Sequence, residues 1–330
     1  MRVAVIGAGA WGTTLANLFA ANGRDTLLWV REPELALEMQ TTRTNSVFLP
    51  DHPIHPDLAI ESDPAKALSG RDVFIMVVPS QFTRSTLASF APLLPQSPII
   101  VCASKGIELD TMAPMSLVVA EALEGKNPRY ASLSGPSFAD EVSRGVPTTV
   151  SLGCEDPDLG AAIQALLSTP LFRVYTTTDF RGVELGGAVK NIIAIAAGIA
   201  DGLNYGHNTR AALITRGLAE ISRLGAAMGA NERTFMGLSG MGDLVLTCTG
   251  DLSRNRQVGL KLGRGMKLDQ IVGEMKAVAE GVKTTKSVHT LATSIGVEMP
   301  ITAEIFAILY EGKDPSKAVR DLMSRDLKQE

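Results

Sequence analysis

The sequence predicts an α/β fold, a doubly wound parallel sheet, followed by an all-α domain. Three observations lead there. Up to about residue 180, short β-branched runs alternate with helical stretches. Beyond that point strand patterns almost vanish and long helical patterns take over. Glycine is abundant, 31 of 330 residues, or about 9% against a usual 7%, and several glycines fall where strands meet helices. The length suits two domains, and the change in texture divides them into residues 1–180 and 181–330.

The strands are expected at residues 2–6, 26–30, 73–78, 99–103, 131–133, 148–152 and 172–175. Several are continuously apolar (VFIMVV, PIIVCA), as parallel strands covered on both faces require. Helical segments are expected between them at 11–22, 82–94, 112–123 and 156–167. The second domain reads as helices at 187–201, 209–228 and 284–295. The first of these is rich in Ala and Gly (AVKNIIAIAAGIADG), a composition that lets helices approach closely.

Composition excludes several partners. The formal net charge is −4, with −7 on residues 1–180 and +3 on 181–330. No strong basic excess marks a nucleic-acid binder, whereas the basic second half suits a small anion. Three dispersed cysteines, Cys102, Cys154 and Cys248, form no CxxC pair and read as reduced thiols in a cytoplasmic protein. The longest wholly apolar run, 192–200, is too short to span a bilayer. No metal site is expected, and His52 and His55 flank Pro53 in a Pro-rich loop. The Ala-rich helices would suit either a homodimer interface or an intramolecular core.

Residues Gly7, Ala8, Gly9, Ala10, Trp11 and Gly12 form a GxGxxG motif. It follows a predicted strand and opens an amphipathic helix, which is the context dinucleotide binding requires. The first glycine allows the tight turn, the second admits a pyrophosphate, and the third lets helix and strand pack closely. The helix N-terminus supplies N–H groups to the phosphates. The next strand ends in Arg31-Glu32, where the ribose 2′-position is read. Arg31 favours NADP(H) by pairing with a 2′-phosphate, and Glu32 keeps NAD(H) open.

Later strand ends also carry candidates. Lys105 follows the strand at 99–103, and the segment Ser134-Gly135-Pro136-Ser137-Phe138-Ala139 offers N–H groups and hydroxyls. In the helical half, Lys190-Asn191 interrupts an otherwise apolar helix. Such a lysine either snorkels to solvent or sits in a cleft with a lowered pKa, and the second case is what an acid/base for a carbonyl/alcohol pair needs. Asp243 and Thr247 lie one helical turn apart. Ser253, Arg254, Asn255 and Arg256 follow, a cluster able to hold a phosphate, although Arg256 also reads as a surface charge.

Together the segments GAGAWGTTLA, VVPSQ, ASKGIE, LSGPSFADEV, ELGGAVKNIIAIAAGIADGL, GMGDLVLTCTGDLSRNRQVG and VAEGVKTTKSV resemble bacterial glycerol-3-phosphate dehydrogenase [NAD(P)+]. The resemblance runs in order over nearly the whole chain. It implies a 6-phosphogluconate dehydrogenase-like architecture and reversible reduction of dihydroxyacetone phosphate to sn-glycerol 3-phosphate, which supplies phospholipid synthesis. It implies that Lys190 is the proton donor/acceptor, that Lys105 contacts cofactor and substrate, and that Asp243, Asn191 and Thr247 neighbour the catalytic lysine. Gly135, Ser137, Ser253, Arg254 and Asn255 match substrate positions. Trp11, Arg31, Ala139, Val278 and Glu280 match cofactor positions, with Ala10 and Arg254 on the cofactor side as well. Ala10 departs from the family's usual serine, which removes a hydroxyl contact and leaves the backbone N–H groups to bind the pyrophosphate. Two other readings of the residues stand beside this one: a reductase of another small oxo acid, and a non-catalytic dinucleotide sensor.

Overall fold

A computed structural model describes residues 1–275, 279–327 and 329. The chain forms two compact units. The first comprises Met1–Lys105 and Ala113–Glu184, the second Gly106–Met112 and Leu185–Glu330. The division falls inside one helix, Phe180–Gly202, four residues beyond the change in texture.

In the first unit, ten strands are formed in chain order: β1 (Val3–Ile6), β2 (Thr26–Trp29), β3 (Thr44–Asn45), β4 (Leu49–Pro53), β5 (Ala59–Glu61), β6 (Val73–Met76), β7 (Ile99–Cys102), β8 (Arg129–Ser134), β9 (Thr148–Cys154) and β10 (Phe172–Thr177). Eight make one sheet in the order β10-β9-β8-β7-β6-β1-β2-β5, and β3-β4 form a separate hairpin. Both faces are covered. Val3 and Val5 point into one apolar cluster, Ala4 and Ile6 into the other, which explains why these strands are continuously apolar and do not alternate.

One pairing departs from the all-parallel expectation: β8 and β9 run antiparallel, with Ser134 opposite Ser151. The chain turns back at Gly135, whose φ is +150°, and the short helix Ala139–Ser143 fills the return. A Cβ on Gly135 would lie 2.8 Å from the Val150 Cα, so β9 packs where a side chain would stand. The helix expected from residue 112 begins at Met115. Met112 takes a left-handed φ of 58°, and Pro114 is its N-cap. The Pro-rich stretch around His52 is β4, an edge strand of the hairpin, where proline is tolerated.

The second unit is built around the part of the helix Phe180–Gly202 that follows Glu184. Its apolar part is long enough by length and composition to cross a membrane, yet that window is wholly buried in the fold. It serves as the core helix. Its glycines permit a backbone-to-backbone crossing with the helix Arg254–Gly263. A Cβ on Gly198 would meet the Arg256 carbonyl oxygen at 2.0 Å, and one on Gly259 would meet that of Ile195 at 2.0 Å. A Cβ on Gly186 would likewise lie 2.4 Å from the Ser239 carbonyl oxygen, in the π-helical turn Leu238–Gly242. These contacts set which later segments face the core helix. Elsewhere in this unit, buried Glu220 accepts bonds from the Ile301 and Thr302 N–H groups (2.6 and 3.1 Å). It thereby satisfies the N-terminus of the helix Pro300–Tyr310.

Candidate active site

The glycine turn has the geometry the motif predicts. Gly7 adopts φ +115°. A Cβ on Gly12 would lie 1.9 Å from the Gly7 carbonyl oxygen, so only glycine lets helix and turn meet. A Cβ on Gly9 meets no atom within 4 Å. Protein packing therefore does not demand glycine there, and open space lies where a ligand backbone would approach. The helix Ala10–Ala21 starts with Gly9 as N-cap, with no side-chain cap and no acidic residue in its first turn. An uncapped helix N-terminus beside open space fits a pyrophosphate.

The other cofactor-side candidates of the first unit lie on its sheet or on the turns and helices that flank it. Trp11 packs against Phe172, with centroids 6.4 Å apart. Arg31 lies past the end of β2, exposed, its Nε donating to Glu32 at 2.7 Å. The Ala139 carbonyl accepts from the Thr14 hydroxyl at 3.3 Å, which ties the turn after β8 to the glycine-turn helix. Ser137 donates to the Gly135 carbonyl at 3.0 Å. Lys105 stands half-buried after β7. The preceding Ser104 hydroxyl donates to the Val78 carbonyl at 2.5 Å, which braces that turn. Val278 lies outside the described residues, and Glu280 opens the helix Glu280–Ser294. His52 bonds the Asp140 carboxylate at 2.9 Å.

The second unit brings together residues far apart in sequence. Lys190 is 6% exposed and Asp243 1%, and the lysine ammonium pairs with the Asp243 carboxylate. It also donates to Thr247 Oγ1 at 2.8 Å, and Thr247 in turn donates to the Asp243 carbonyl at 2.6 Å. Asp243 and Thr247 are one turn apart on the helix Asp243–Thr249. That helix follows directly on the π-helical turn against which Gly186 packs. The lysine therefore does not snorkel to solvent. The two partners fix the ammonium at one place inside the unit.

Nearby, Ser253 caps the helix Arg254–Gly263 by accepting from the Arg256 N–H at 3.2 Å. Arg254 is exposed. Asn255 is buried, and its Oδ1 accepts from the Gly281 N–H at 3.0 Å. With its acceptor end so committed, the amide N–H₂ is what Asn255 has to offer an anion. Arg256 is neither a surface charge nor a phosphate ligand by geometry. It is buried, donating to Asp201 Oδ2 at 2.9 Å and Asp251 Oδ1 at 2.8 Å. Asp201 was invisible in sequence as its partner, because the two are joined only by the glycine crossing. Burial pushes the Cys248 and Cys102 thiols up to about 12, which leaves them un-ionised and unsuited to nucleophilic work.

An uncapped glycine turn beside open space and a buried, carboxylate-paired lysine fit a nicotinamide-dependent oxidoreductase. The comparisons agree and go further. The model of the NAD-dependent glycerol-3-phosphate dehydrogenase N-terminus matches residues 2–160, and that of the C-terminus residues 179–320. The chain is 66% identical over 330 residues to glycerol-3-phosphate dehydrogenase [NAD(P)+] of Maridesulfovibrio salexigens, covering 100% of both chains. It is 58% identical to that of Geobacter sulfurreducens, covering 100% of this chain and 98% of the other. The crystal structure of glycerol-3-phosphate dehydrogenase from Coxiella burnetii superposes with a TM-score of 0.94 at 40% identity, over 98% of this chain and 99% of that one. The chain belongs to the NAD(P)-dependent glycerol-3-phosphate dehydrogenase family.

Proposed function

We propose that the protein catalyses the reversible NAD(P)H-dependent reduction of dihydroxyacetone phosphate to sn-glycerol 3-phosphate, the backbone precursor of glycerophospholipids. One observation carries the mechanism: a lysine in an apolar helix, removed from solvent and held by Asp243 and Thr247. When bound, the nicotinamide supplies a hydride to C2 of the ketone. Lys190 donates a proton to the oxygen at C2 as negative charge develops there, and in the reverse direction takes it back. Asp243 holds the ammonium and Thr247 fixes its direction, while Asn191 completes the polar surroundings. Arg254 and the amide of Asn255 hold the phosphate, assisted by Ser253. A substrate of about two negative charges suits the more basic half of the chain.

Gly7, Gly9, Ala10 and Gly12 cradle the diphosphate through backbone N–H groups, and Trp11, Arg31 and Ala139 complete the cofactor contacts. The three cysteines are free and buried, in keeping with a reducing cytoplasm. The test is spectrophotometric oxidation of NADPH and of NADH with dihydroxyacetone phosphate, beside unphosphorylated dihydroxyacetone and small oxo acids. Activity that requires the phosphate supports the proposal. Equal activity with an oxo acid would replace it.

A further inference from the structure

Asn45 lies in the hairpin strand β3, 37 residues from Ala8 in sequence, and its side chain is wholly buried. Its Nδ2 donates to the Ala8 carbonyl at 2.9 Å and to Thr13 Oγ1 at 2.9 Å. Its Oδ1 accepts from the Phe48 N–H at 3.0 Å. The Thr13 hydroxyl, buried beside it, also donates to the Ala8 carbonyl, at 3.2 Å. Two side chains thus converge on one backbone oxygen in the middle of the glycine turn.

That oxygen belongs to the Ala8–Gly9 peptide. In a trans peptide the C=O and N–H point in opposite directions. Holding the Ala8 carbonyl toward Asn45 and Thr13 therefore turns the Gly9 N–H the other way. Gly9 is also the residue whose Cβ would enter open space. Backbone torsion at a glycine is otherwise cheap, so a turn of this composition needs an external clamp to present one fixed donor.

We propose that Asn45, with Thr13, is a positioning residue for cofactor binding: it locks the Ala8–Gly9 peptide so that the Gly9 N–H is aimed at a dinucleotide's diphosphate. The inference rests on the reading that this turn binds NAD(P)H. It assigns Asn45 no contact with cofactor or substrate.

The experiment titrates the full-length protein with NADPH by fluorescence and measures steady-state kinetics. Asn45→Ala raises the NADPH Kd about tenfold, the effect of losing a buried hydrogen bond and its orientation. The KM for dihydroxyacetone phosphate at saturating NADPH stays within about twofold. A merely structural role would instead lower the melting temperature and weaken both ligands together, and that result overturns the proposal. Thr13→Val and Thr13→Ser give a second, milder pair: the serine recovers most of the affinity that the valine loses. Should Asn45→Ala fail to fold, that pair decides, and equal Kd values for wild type and Thr13→Val overturn the proposal. Gly9→Val fills the open space and tests the underlying reading separately. Loss of NADPH binding there with an unchanged Kd in Asn45→Ala defeats only the role of Asn45. Undiminished NADPH binding in Gly9→Val defeats the reading of the turn itself.

Discussion

Replacing Lys190 with methionine separates its chemistry from its contribution to stability. Methionine keeps an unbranched apolar stem in a helix that is buried on every side, and deletes only the ammonium. The remaining Asp243 carboxylate, 1% exposed, would then be buried without its counter-charge. Breaking one side of such a pair costs about 3–5 kcal/mol, whereas removing both charges is often nearly neutral. Lys190→Met alone is therefore expected to lose about 3–5 kcal/mol of stability, and Lys190→Met with Asp243→Asn to recover most of it. Turnover follows another pattern. Both variants lose at least about a hundredfold in kcat, since neither has a proton donor. Unfolding should be followed in urea by far-UV circular dichroism, because both tryptophans, Trp11 and Trp29, belong to the first unit. Stability losses that simply add in the double variant would refute the buried-pair argument. Turnover above about a tenth of wild type in Lys190→Met would refute its role as acid.

Two further outcomes are expected. Arg31→Ala raises the KM for NADPH about tenfold and leaves that for NADH within about twofold, as loss of one charge-assisted phosphate contact implies; an equal rise for both cofactors refutes a 2′-phosphate role. Burial pushes the Glu220 carboxyl up from 4.5 to about 7, against the hydrogen bonds from Ile301 and Thr302. The folded chain then holds a proton that the unfolded chain releases. This contribution to stability is complete below about pH 4.5 and is lost as pH rises through about 7, amounting to about 3 kcal/mol. Urea unfolding of Glu220→Gln across that range should show the slope flattened relative to wild type, and identical slopes would remove Glu220 as its source.

Much of the architecture was legible because its signals are local. The β-branched runs of the first unit and the strand–turn–helix at Gly7 to Gly12 are short-range patterns, and all the strands predicted there form. The spacing of Asp243 and Thr247 likewise told that they share one face of a helix. The hairpin β3-β4 escaped notice because β4 is LPDHP, whose prolines suggest a loop, and because a two-residue strand such as β3 has no period. The antiparallel turn at Gly135 escaped for a different reason: neighbouring parallel and antiparallel strands buried on both faces share one composition.

Sequence alone determined the classes of element, the glycine turn between strand and helix, and the presence of a lysine where burial gives it no reason to be. Tertiary structure decided what those residues meet. Lys190 finds Asp243 53 positions away because Gly186 admits the turn before Asp243 against the core helix. Arg256 becomes a buried partner of Asp201 because Gly198 and Gly259 let two backbones touch. Asn45, silent in the pattern, closes on Ala8 only once the hairpin folds over the glycine turn. Periodicity reports which face of an element avoids water. It carries no information on which distant backbone can approach that face, and that approach is set by where side chains are missing.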